Sequence, residues 1–98
     1  MEAACIVRSN GLSTEIHAKL LHAVVKYDKR LSGNEARKGQ RVNIYRLAHL
    51  CGALNSISDA IKAGRDLRAA ILKATCGRVC DMLLRAAGLP LMTQEENR

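Results

Sequence analysis

The residues that could do chemistry are four cysteines, three histidines and a crowd of lysines and arginines. Cys76 and Cys80 stand four apart, a spacing that can seat two ligands on one metal; Cys51 could add a third, and His49 lies near it in sequence. Zinc sites more often announce themselves with tighter pairs of the C-x2-C kind. Cys76 also belongs to a run of apolar positions with Cys80 beside it, and there cysteine acts as a small hydrophobe. Core packing is therefore expected for both, with no metal. His17, His22 and His49 have no acid or cysteine at a recognisable spacing and read as surface or boundary residues. Catalysis would need paired carboxylates, a nucleophile with its base, or a glycine-rich phosphate loop. The acids are few and scattered, and Asp81 is placed to pair with Arg78 or Arg85 on its own helix. Nothing matches a catalytic motif, so the expectation is a protein that is not an enzyme and carries no cofactor.

The basic residues point to binding instead. The net charge is +7 and the pI about 9.7, a field that favours anionic partners such as nucleic acid or an acidic protein surface. Between Lys29 and Arg46, six basic residues face Glu35 as the single acid. Lys19, His22, Lys26 and Lys29 recur three and four apart just before them. The candidate nucleic-acid-binding residues are accordingly Lys26, Lys29, Arg30, Arg37, Lys38, Arg41 and Arg46. They would contact the phosphates of DNA or RNA and gain affinity by counterion release. Asn and Gln are few and aromatics almost absent, so weak sequence specificity is expected. Two alternatives belong to other classes. One is a phage- or plasmid-type accessory protein that binds and inhibits a host complex, as an anti-CRISPR does. The other is a structural homodimer.

The elements that must position these residues are helices. Ninety-eight residues suit one domain, and 48% apolar content can supply a core. That core must be aliphatic, because there is no Phe or Trp and only Tyr27 and Tyr45 are aromatic. So thin a supply of large side chains favours self-association. Met1 to Asn10 has an acid at position 2 and too short an apolar run for a signal peptide, and no stretch approaches the ~18 apolar residues of a membrane span. A cytoplasmic protein with reduced thiols and no membrane partner is expected.

In order, residues 1–12 form an N-terminal segment of undecided structure. Ser13 is a good N-cap, with Glu15 in the following turn. A first helix is predicted from about Thr14 to Leu31, burying Ile16, Leu20, Val24, Tyr27 and Leu31. Residues 32–42, SGNEARKGQRV, read as a basic inter-helix loop broken by Gly33 and Gly39. A second helix is predicted from Asn43 to Gly64, with Leu47, Leu50, Leu54, Ile57 and Ile61 on one stripe. Gly52, Ser56 and Ala60 recur every four residues on its other side, a narrow surface for a partner or for self-contact. The run from Leu47 to Ser58 resembles the helix-turn-helix of small phage-repressor proteins at Ala48 and Gly52. Ile57 comes one residue early for that pattern and no turn-type residue follows Gly52, so an uninterrupted helix is expected. Asp66 can cap a third helix reaching about Ala87, with Ala69, Leu72, Cys76, Val79, Leu83 and Ala86 in phase through Gly77. Gly88 and Pro90 stop it, with Leu84 and Leu89 placed for the contact of a Schellman cap. Residues 93–98 read as a tail. The predicted fold is an all-α, small three-helix bundle in which helices two and three form a long antiparallel hairpin.

Overall fold

The computed structural model describes residues 12–91, and all of its regular structure is helical. Among the described residues there are four helices: α1 (Thr14–Arg37), α2 (Arg46–Lys62), α3 (Leu67–Ala74) and α4 (Gly77–Ala86). α1 packs on α2 and on α4, and α3 packs on α2 and on α4. The core at their centre is built from Leu20 and Val24 of α1, Leu50, Leu54 and Ile57 of α2, Ala70 and Ile71 of α3, and Cys80, Leu83 and Leu84 of α4. Cys5 and the N-terminal segment before Leu12 lie outside the described residues, as does the tail from Met92.

Several local signals act as the sequence suggests. The Ser13 hydroxyl accepts the Ile16 N–H at 3.1 Å, and the Asp66 carboxylate accepts the Ala69 N–H at 2.7 Å. Each satisfies a donor that the first turn of a helix leaves unpaired. The stripe of α2 is buried at Leu50, Leu54 and Ile57 and half-buried at Leu47 and Ile61. α2 runs unbroken through Gly52 and Ser58, so no helix-turn-helix forms there. Its first residue is Arg46, not Asn43; the Asn43 side chain instead accepts the Tyr45 N–H at 3.0 Å in the turn leading in.

The first helix does not stop at Leu31. α1 continues through Ser32 and Gly33 to Arg37, so most of the expected loop at 32–42 is helix and the real connection spans residues 38–45. Gly39, with φ +71°, is the stop. The Gln40 N–H donates to the Glu35 carbonyl at 2.8 Å and the Gly39 N–H to the Ala36 carbonyl at 3.1 Å, the paired bonds of a Schellman end. α2 and α4 close in the same way, before Arg65 and Leu89.

The expected third helix is two. α3 ends at Ala74, Thr75 and Cys76 are extended, and α4 begins at Gly77, which makes four helices rather than three among the described residues and confines the hairpin partner of α2 to short α3. On one continuous helix, the mean direction of Ala70 and Ile71 would lie about 135° from that of Cys80, Leu83 and Leu84. The two extended residues let each helix turn its own buried set to the core. The Thr75 hydroxyl and N–H both donate to the Ile71 carbonyl, at 2.7 and 3.0 Å, which closes the end of α3. Cys76 consequently stands exposed rather than in the core, whereas Cys80 is fully buried.

Two substitutions check these boundaries. Gly33 lies inside α1, and a Cβ there would meet the Arg37 side chain at an ordinary 3.6 Å. Gly33→Ala should raise stability by about 0.5–1 kcal/mol in urea unfolding, because helical alanine loses less backbone entropy. Gly77 holds φ +58°, so Gly77→Ala should cost about 1–2 kcal/mol in the same measurement.

Candidate nucleic-acid interface

Beyond Glu15, which lies on the basic flank beside Lys19, helical geometry sorts the charges of α1 onto opposite flanks. At about 100° per residue, Lys19, His22, Lys26, Arg30 and Arg37 fall within an arc of about 80°. From Lys19 to Arg37 that arc extends about 27 Å along the axis. Asp28 and Glu35 fall on the side roughly opposite.

The acidic side is closed by Arg46. Its Nη1 and Nη2 donate to the two carboxylate oxygens of Glu35 at 3.0 and 2.8 Å, a bidentate pair. Its Nε donates to Asp28 Oδ1 at 2.9 Å and its Nη2 also to Ser32 Oγ at 3.0 Å. Only 14% of the Arg46 side chain is exposed, against 18% for Asp28 and 22% for Glu35. The Arg46 hydrogen bond, opposed by burial and helped by its charge and by the Asn43 N–H, holds the Glu35 carboxyl below its ordinary value. The guanidinium is shifted further up in turn, by Glu35 before Asp28. Arg46 thus joins α1 to the start of α2, and its donors face inward rather than toward solvent.

The basic side borders an open groove between α1 and α4. One concavity, of about 460 Å3, is lined by Lys19, His22, Ala23, Lys26, Tyr27 and Arg30 of α1 and by Met82 and Ala86 of α4. A second, of about 480 Å3, shares Tyr27, Arg30 and Met82 and adds Arg78, Asp81 and Arg85. The shared residues make them one trough, with Tyr27 and Met82 half-buried along its floor. The Arg30 guanidinium lies 5.5 Å from the centre of the Tyr27 ring. Among the described residues Asp81 is the single acid on the lining, and it makes no ion pair with Arg78 or Arg85. Lys19 approaches Glu15 at 3.4 Å in an exposed pair, which holds little energy.

The seven basic residues singled out from the sequence are therefore not one patch. Lys26 and Arg30 line the groove, and Lys29 is exposed at the edge of the same flank. Arg37 is exposed at the end of α1, where it donates to the Asn34 side chain. Lys38 and Arg41 are exposed on the 38–45 connection, next to the exposed Ile44 and Tyr45. Arg46 stands apart from all of these. Arg78 and Arg85 also line the groove and are not among the residues singled out from the sequence; their seven-residue spacing on one face was the available signal. Gly52 and Ser56 are exposed, but Ala60 is half-buried against the core, so the small-residue surface of α2 is shorter than its spacing suggests. A four-residue repeat drifts about 40° per step around a helix, which carries Ala60 toward the packed side. Among the described residues no group of three or more His, Cys, Asp or Glu is arranged to hold a metal, and no helix is long and apolar enough to cross a membrane.

The Arg46 clamp predicts an acid sensitivity. A carboxyl with a lowered folded-state value stabilises the fold above its unfolded value, ordinarily about 4.5, and loses that contribution as pH falls through the lower one. Melting followed by circular dichroism should therefore show wild type losing more Tm than Glu35→Gln between pH 6 and pH 3 (roughly the range that carboxylates titrate over). Arg46→Lys should lower Tm nearly as much as Arg46→Met, because a lysine cannot form the fork. Comparison of the chain with protein-family models, with curated proteins and with solved structures found no match to any of them.

Proposed function

We propose that this protein binds nucleic acid through the α1–α4 groove, as a small regulatory or nucleoprotein-associated factor with little sequence specificity. The observation that carries this reading is the segregation of charge. Lys19, Lys26, Arg30, Arg78 and Arg85 border one trough in which Asp81 is the single acid among the described residues. Asp28 and Glu35, which could have neutralised that flank, are turned to Arg46 on the far side. Cations on both walls of a trough can hold successive phosphates of one backbone, and the counterions released supply affinity that falls with salt. Arg37, exposed at the end of α1, lies on the same flank of the helix as Lys26 and Arg30. Arg46 is left out of the binding set and is assigned to holding the fold. Among the described residues none lies on a helix that protrudes as a recognition helix does, which fits weak sequence preference.

Charge reversal tests the reading. Lys26→Glu/Arg30→Glu should weaken binding of a labelled oligonucleotide at least tenfold in fluorescence anisotropy and flatten the dependence of log K on log salt. Lys62→Glu/Arg65→Glu makes the same change in net charge at exposed positions outside the groove. It should cost far less. Equal losses in the two variants would mean that overall charge, not this groove, attracts the ligand; no loss in either would remove the proposal.

A further inference from the structure

We infer that the groove takes a single strand rather than a duplex, with bases laid on the Tyr27–Arg30 platform; this rests on the nucleic-acid reading above. Duplex readers present a protruding helix, because the major groove is about 12 Å wide and admits one helix face. Here the cationic face of α1 does not protrude. α4 packs alongside it and raises a second wall carrying Arg78 and Arg85. The charges therefore converge on a trough, where the backbone of one strand can sit but the convex cylinder of a duplex cannot descend.

The floor favours the same ligand. Proteins that hold single strands combine a cationic channel with flat π surfaces on which unpaired bases stack. Tyr27 lines both concavities, with the Arg30 guanidinium 5.5 Å from its ring centre. A guanidinium plane is itself a stacking surface for a base. Met82 on the facing helix offers a second apolar contact. Each concavity, at about 460 and 480 Å3, is of the size that small-molecule ligands occupy. A paired base has both faces covered by its neighbours in the stack and can use none of this floor.

The chain supplies its own probe. It has no Trp and two tyrosines, Tyr27 and Tyr45, and Tyr45 is 67% exposed on the connection before α2. In Tyr45→Phe the tyrosine emission reports Tyr27 alone. Titration with a 12-nucleotide single strand and with the corresponding 12-base-pair duplex, both also followed by anisotropy, should give at least tenfold tighter binding of the single strand. The single strand should also quench Tyr27 saturably after correction for the oligonucleotide's absorbance. Tyr27→Leu, which keeps the floor apolar, should weaken the single strand about fivefold or more and leave the duplex unchanged. Duplex binding as tight as single-strand binding, or single-strand binding with Tyr27 emission unaltered, would overturn this inference and leave the groove as a general phosphate site. Binding of neither form would remove the nucleic-acid reading itself.

Discussion

One guanidinium holds together a part of the molecule that the hydrophobic core does not reach. The core reaches α1 as far as Tyr27, which packs against it half-buried, yet the helix continues for ten residues beyond Tyr27. A helical stretch of that length is marginal in water without tertiary support. Arg46 supplies the support by gripping Asp28 and Glu35, two turns apart, from the first turn of α2. The arrangement has an electrostatic by-product. Six acids lie within residues 12–91, against fourteen lysines and arginines. Two of those six are committed to the clamp and Asp66 to capping α3. Glu15 and Asp81 remain beside the groove, against Lys19, Lys26, Arg30, Arg78 and Arg85, so that flank stays cationic.

The parts of the fold legible in the sequence are those where a single physical signal dominates. α2 reads correctly apart from its start, because its stripe has one phase from Leu47 to Ile61. Its end at Gly64, the cap at Asp66 and the stop at Gly88 follow from side-chain types with fixed roles. α1 reads short because the second half is held by ions rather than by recurring apolar residues, and hydrophobic periodicity has no term for that. Gly39, following Glu35, Ala36, Arg37 and Lys38, was the better stop than Gly33. The break at Thr75 and Cys76 was hidden by abundance: with so many Ala, Leu and Cys residues, a three-four repeat can be drawn through Gly77 on a phase the core does not use. The true buried set, Ala70 and Ile71 and then Cys80, Leu83 and Leu84, has no common phase across the segment.

The candidate site was legible to the same extent. Lys26 and Arg30 could be found because their own helix sets their spacing. Arg78 and Arg85 could not be joined to them without knowing that α4 is separate and folds back along α1. Arg46 shows the opposite limit. In the chain it closes a run of positive charge, yet in space it meets two carboxylates that lie eleven and eighteen residues before it. Linear charge density says where cations are abundant and not which of them face solvent.

The separation of α4 from α3 has a mechanical consequence for the trough. Its second wall is tethered at one end by two extended residues and at the other by the turn at Gly88. No helical rod fixes the distance between the walls; Cys80, Leu83 and Leu84, seated in the core, do so. Aperture is thus a property of side-chain volume at positions that no ligand would touch. Related chains could tune the gauge of this channel by exchanging aliphatic residues beneath it while keeping every cation in place.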